Sequence, residues 1–140
     1  KTYEIFAAHW PYVGPDDPIG PMFDRIAKYV VTRGDDALEW SNSHRLADID
    51  AVAALKRSDG ADLLIQGSST LYPALFAAGL VDRLLVMTLP VVLGGGKRLF
   101  GTGTPPFALK LVEHKVASAA GVAGEVISSM LSERRPEEEP

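Results

Sequence analysis

The chain has 140 residues, a formal net charge of −4, a hydrophobic share of 46% and no cysteine. That length suits one globular domain with a core of its own, and the missing thiols exclude disulfides and thiolate metal sites. The acidic balance argues against nucleic acid as the main partner, no apolar run reaches membrane-spanning length, and a cytoplasmic protein is the expectation.

The chain is expected to begin inside a structural element. Tyr3, Phe6, Ala7 and Trp10 fall on one face at helical spacing, so residues 2–9 read as an amphipathic helix closed by Pro11. From Pro11 to Pro21 four prolines and two glycines make an irregular loop. Met22 to Ala27 suits a short helical turn, and Lys28-Tyr29-Val30-Val31-Thr32 suits a strand. Arg33 to Ala47 is polar and reads as a surface connection. A helix through Lys56-Arg57 follows, capped by Asp48 or Asp50, with Ile49, Val52 and Ala53 inward and Gly60 at its end.

Asp62 to Gln66 is a short, nearly continuous apolar run, the pattern of a strand covered on both faces. Ser69 or Thr70 can cap the next helix, with Pro73 in its first turn and Gly79 as its stop. Arg83 to Leu89 reads as another buried strand. Phe107 to Lys115 and Val122 to Met130 read as a closing antiparallel hairpin. Strand, helix, strand, helix, strand in the middle predicts right-handed crossovers and parallel pairing. The expected fold is α/β: a mixed, mostly parallel sheet with helices on both faces and a C-terminal antiparallel hairpin. Residues 1–132 are expected to form one domain, followed by a solvated acidic tail over 133–140.

Three segments could carry chemistry. Gly67-Ser68-Ser69 ends an apolar run and opens a helix. Its glycine admits close backbone approach, and its serines add hydroxyl donors for an anion. A plain turn with a serine cap fits the same residues equally well. Gly94-Gly95-Gly96-Lys97-Arg98 fails as a P-loop, because Arg98 stands where Ser or Thr is required; a glycine turn fits better. Thr32-Arg33, at a predicted strand end, suits a phosphate monoester, although a solvated arginine beside Asp35 and Asp36 is the simpler reading. His9, His44 and His114 lack metal-ligand spacing, and no G-x-S-x-G elbow supports hydrolase chemistry. Asp82 suits a cap or an ion pair better than a catalytic role. Trp10 reads as packing, and Trp40 as a cover for a sheet edge or a partner subunit.

Taken in order, these segments carry a resemblance. Lys1-Thr2-Tyr3-Glu4, Lys28-Tyr29-Val30-Val31-Thr32, Leu55-Lys56, Gly67-Ser68-Ser69-Thr70-Leu71, Gly79-Leu80-Val81-Asp82 and Pro90-Val91-Val92-Leu93-Gly94-Gly95-Gly96-Lys97-Arg98-Leu99-Phe100 span nearly the whole chain. It resembles the C-terminal reductase domain of bacterial riboflavin-biosynthesis deaminase-reductases, a branch of the dihydrofolate reductase-like three-layer fold. The resemblance implies an NADPH-dependent reductase of a ribosylaminopyrimidine phosphate, or of a related heterocyclic small molecule, and a homodimer. It implies that Lys1 and Thr2 on one side, and Gly67, Ser68, Ser69, Thr70 and Leu71 on the other, flank the cofactor pyrophosphate. It places Thr32 and Arg33 at the adenosine 2′-phosphate. It names no catalytic acid or base in this chain, and no metal. Relatives carry Asp-Glu where Asp82-Arg83 stands, which removes any acidic role at position 83. Relatives also carry a strand and a Gly-Arg pair ahead of the position of Lys1, so the natural protein is expected to be longer. The deaminase zinc motif has no counterpart here, so a stand-alone reductase is expected. Dihydrofolate reduction, and a non-catalytic nucleotide-binding dimer module, are the alternatives.

Overall fold

In a computed structural model, the backbone is described for residues 1–119 and 122–132, and side-chain surroundings for residues 1–116. The expected tail over 133–140 and the tip of the expected hairpin, residues 120 and 121, lie outside the described residues. The chain divides into two compact units, Lys1–Ser68 and Ser69 onward.

The first unit is built on aromatic packing. Helix α1 (Thr2–Ala7) runs into a 3₁₀ turn over Trp10–Tyr12, where Pro11 suits the first turn. Helix α2 (Gly20–Arg25) follows, entered through Asp17, whose carboxylate accepts from the Ile19 and Gly20 N–H groups at 2.8 and 3.0 Å. Phe23 from α2 meets Phe6, Trp10 and Trp40 with ring centroids 5.0 to 6.2 Å apart. Tilted and edge-on rings at such spacing add about 0.5–1.5 kcal/mol per pair beyond simple burial. The stripe of Tyr3, Phe6, Ala7 and Trp10 is half-buried, as its spacing predicts. Trp40 departs from expectation. It is only 7% exposed and sits at the centre of this core. Its Nε1–H donates to Asp24 Oδ1 at 2.8 Å, and its backbone N–H donates to the Tyr3 hydroxyl at 2.9 Å. A large ring with both polar groups satisfied is stable inside, so within this unit Trp40 is core and not a cover.

Strand β1 (Lys28–Val31) pairs in parallel with β2 (Ser43–Leu46), in register Lys28↔Ser43 through Val31↔Leu46. The second of these strands corrects the reading of 33–47 as connection throughout: its short polar sequence carries no β signal, and its partner supplies the ladder. Helix α3 (Ile49–Arg57) is capped by Asp48, whose Oδ1 accepts from Ala51 N at 2.9 Å. It ends at Ser58 and not at Gly60; the Ser58 N–H and hydroxyl both donate to Leu55 O, at 3.1 and 2.7 Å.

The apolar run Asp62–Gln66 forms no strand. Leu63, Leu64 and Ile65 are exposed, Leu64 by 79%. A strand exists only through a partner that takes up its N–H and C=O groups, and among the described residues this run has none.

The second unit opens with α4 (Tyr72–Ala77). Neither Ser69 nor Thr70 is its cap; Leu71 holds that position without a side-chain bond, and Pro73 sits in the first turn as expected. Gly79 ends the helix at φ +63, with Gly79 N bonded to Phe76 O and Leu80 N to Leu75 O. These two bonds are the pattern of a Schellman cap. Leu75 and Phe76 are buried, and Phe76 stacks on Phe107 at 4.4 Å with Phe100 alongside at 5.9 Å. The sheet of this unit runs β3-β5-β4, from β3 (Arg83–Thr88), β4 (Leu109–Ala119) and β5 (Val122–Ser132), with both pairings antiparallel. The expected antiparallel hairpin is present as β4 and β5. The expected parallel role of 83–89 is not, because its partner is β5 running the other way. Burial along β3 alternates: Leu84 and Val86 are partly covered while Leu85 and Met87 are exposed by 62% and 61%. One covered face is the signature of an antiparallel strand.

Candidate functional site

Gly67 closes the first unit beside the start of α1. A Cβ on Gly67 would lie 3.2 Å from Thr2 Cγ2 and 3.5 Å from Thr2 Oγ1. The backbone at Gly67 and the Thr2 side chain, far apart in sequence, are thus in near contact. Gly67 has φ +67 and Ser68 has φ +61. Two successive left-handed residues are uncommon, and serine accepts that conformation only at a cost. Both features press the chain into a tight turn with Gly67 at its closest approach to Thr2. Side-chain bulk at Gly67 is excluded twice, by the dihedral and by the methyl of Thr2.

Thr2 is half-buried and Lys1 is exposed, at the cap position of α1. Hydroxyl and ammonium groups are donors that an oxyanion takes; here the Thr2 hydroxyl lies beside the Gly67 turn, and the Lys1 amino terminus pairs with Glu4 Oε2 at 3.4 Å. The helix contribution is small. Helices α1 and α4 have six residues each, and neither carries a side-chain cap bond. Ser69, Thr70 and Leu71 open the second unit, the first two in a turn and Leu71 at the start of α4.

Thr32 and Arg33 follow β1. Thr32 N donates to Leu46 O at 3.2 Å, which extends the ladder one residue past the strand. The Thr32 hydroxyl accepts from Gly34 N at 3.1 Å, so its own O–H stays available as a donor. Arg33 is exposed, and among the described residues no ion pair ties it to Asp35 or Asp36. The triple glycine lies in an irregular exposed segment, Gly94 at φ +72 and Gly96 at φ +148, with open space around all three. It forms an open bend.

Sequence reasoning missed the network around Lys28. Its ammonium donates to Phe23 O at 2.6 Å and Ile26 O at 3.0 Å, and lies 4.5 Å from the centre of the Trp40 ring. Burial pulls its pKa below the ordinary lysine value, and the Asp24 carboxylate partly offsets that. No local motif signals such a network, because its partners are backbone carbonyls. Next to it a recess of about 270 Å³ is lined by Ala7, Pro11, Tyr12, Asp24, Glu39 and Trp40, among others. Among the described residues no cluster of histidine and carboxylate side chains could hold a metal, and no helix is long and apolar enough to cross a membrane.

The family model of the RibD C-terminal domain matches residues 23–122. The chain belongs to this family. The RibD C-terminal domain is a reductase unit of the riboflavin-pathway type, so membership implies an oxidoreductase. The matched span includes β1, the Thr32-Arg33 segment, the Gly67-Ser68 turn and the triple glycine. No curated protein matches the chain.

Proposed function

We propose that the chain is an NADPH-dependent reductase that transfers hydride to a ribosylaminopyrimidine-like or related heterocyclic substrate. The observation that carries this reading is the near contact of Thr2 with Gly67. The resemblance assigns both segments to the cofactor pyrophosphate, and the Thr2 hydroxyl and the Gly67 turn lie together in the first unit, where both can donate to one anion. The residues present fit the cofactor by their chemistry: the left-handed turn keeps side-chain bulk away from Gly67, and the Thr2 hydroxyl stands beside it.

NADPH, when bound, supplies the hydride. The chain's own task is to bind, orient and exclude water. Backbone N–H groups at Gly67 and Ser68, the Thr2 hydroxyl and the Lys1 ammonium hold the pyrophosphate. The Thr32 hydroxyl and the Arg33 guanidinium take the adenosine 2′-phosphate, for which a planar two-donor fork is the matching geometry. We further propose that residues 1–132 act as one reductase domain of the three-layer type, in the cytoplasm, as a homodimer.

Ligand-induced stabilisation of the full-length protein tests the reading. NADPH at one hundred times its Kd should raise unfolding free energy by about 2.7 kcal/mol; no stabilisation at any concentration rejects it. Gly67→Ala should weaken NADPH binding at least tenfold, about 1.4 kcal/mol or more, because the new methyl meets Thr2 and strains the left-handed backbone. Arg33→Ala should weaken NADPH more than NADH, and equal losses remove Arg33 from the 2′-phosphate. Consumption of NADPH with a ribosylaminopyrimidine phosphate but not with dihydrofolate separates the two reductase alternatives.

A further inference from the structure

The loop after β1 is held by a residue that no motif marks. Arg45 stands in β2 opposite Val30 of β1. Its Nη1 donates to Gly34 O and its Nη2 to Asp36 O. One planar fork therefore grips two carbonyls of the segment that follows Arg33. A trans peptide points its C=O and its N–H in opposite directions. With the Gly34 and Asp36 carbonyls turned to the guanidinium, the N–H groups of Asp35 and Ala37 point away from it. Neither N–H donates to a backbone carbonyl among the described residues. On the other side of the same turn, the Thr32 hydroxyl accepts from Gly34 N. The loop is thus pinned at three points, and its remaining donors are directed outward. Asp35 and Asp36 place two negative charges on this loop, and the Arg45 cation beside their backbone offsets part of that field.

We propose that Arg45 is a positioning residue that sets the preference for a 2′-phosphorylated dinucleotide by holding the Thr32–Asp36 loop in its anion-accepting form. This rests on the assignment of Thr32 and Arg33 to the 2′-phosphate. Arg45 does not touch the ligand; it acts through the two carbonyls. Charge alone is insufficient for that role, because lysine brings a point charge without the two-pronged fork.

The experiment is calorimetric titration of the full-length protein with 2′,5′-ADP and with 5′-AMP, which differ by the phosphate in question. Wild type should bind 2′,5′-ADP more tightly, and Arg33→Ala should remove that advantage. Arg45→Met and Arg45→Lys should each weaken 2′,5′-ADP roughly five- to tenfold, the order expected for one or two charge-assisted bonds lost. Both should leave 5′-AMP unchanged within about twofold, the spread a neutral surface substitution allows. If Arg33→Ala keeps the 2′,5′-ADP advantage, the 2′-phosphate assignment falls and this inference with it. If Arg33→Ala loses the advantage while both Arg45 variants keep it, the assignment stands and the positioning role is overturned. If Arg45→Lys binds as wild type while Arg45→Met does not, Arg45 acts by charge and not by position, which also overturns it.

Discussion

Trp40 shows how one side chain organises the first unit. Its indole N–H is taken by Asp24, its backbone N–H by the Tyr3 hydroxyl, and its ring lies under the Lys28 ammonium. Trp40→Phe keeps most of the apolar ring but leaves Asp24 Oδ1 without its donor. That change should cost about 1–3 kcal/mol in chemical unfolding, and a loss near zero means that solvent replaces the indole. Asp17 gives a pH dependence with a definite sign. Backbone N–H donation from Gly20 and Ile19 holds its carboxyl below the ordinary carboxylate value. A depressed folded pKa means that the contribution is complete above the unfolded value of about 3.9. It is lost as pH falls through the lower folded value. Asp17→Asn keeps an acceptor but cannot titrate, so the acid-induced loss of stability should be shallower in the variant. Identical acid slopes in the two proteins count against this cap.

At the scale of elements, the ends of helices were legible where a side chain or a glycine acts within a few residues. Asp48 caps α3 and Gly79 closes α4, as their local sequence predicts. Gly79→Ala should destabilise the second unit by about 1 kcal/mol, because alanine resists φ +63; thermal unfolding followed by circular dichroism reads this directly. Strands were legible only in part. Lys28–Val31 is β-branched and aromatic and does form a strand. Ser43–Leu46 has none of that character, yet it pairs with β1 because its backbone lies alongside. Asp62–Gln66 has the apolar character and no ladder. Side-chain pattern reports which face wants burial, whereas a ladder needs a second backbone at the right place.

For the whole molecule, exposed apolar surface is the feature with the largest consequence. Leu85 and Met87 on β3 stay exposed, as do Leu111, Val112 and Val116 on β4. The register sets Leu85 and Met87 on the same face as Glu113 and Lys115, and Leu111 and Val116 on the other face, so the proposed homodimer is tested through the β3 pair. Sedimentation equilibrium of the full-length protein should show a dimer, and Leu85→Lys combined with Met87→Lys should shift it to monomer. A wild-type monomer at all concentrations refutes the dimer.

The amino-acid order by itself determined the class of the chain, the Asp48 cap, the Gly79 helix stop, the closing hairpin and the segments that resemble a reductase. These depend on neighbours a few residues apart, on φ preferences and on side-chain period, all of which are written locally. Only the tertiary structure decided that Thr2 lies against Gly67, that Arg45 grips the loop after Arg33, and that Trp40 is core within its unit. Each of these joins groups distant in sequence through a backbone carbonyl, a missing Cβ or a buried ring. Such partners have no residue-type signature, so no pattern along the chain could reveal them.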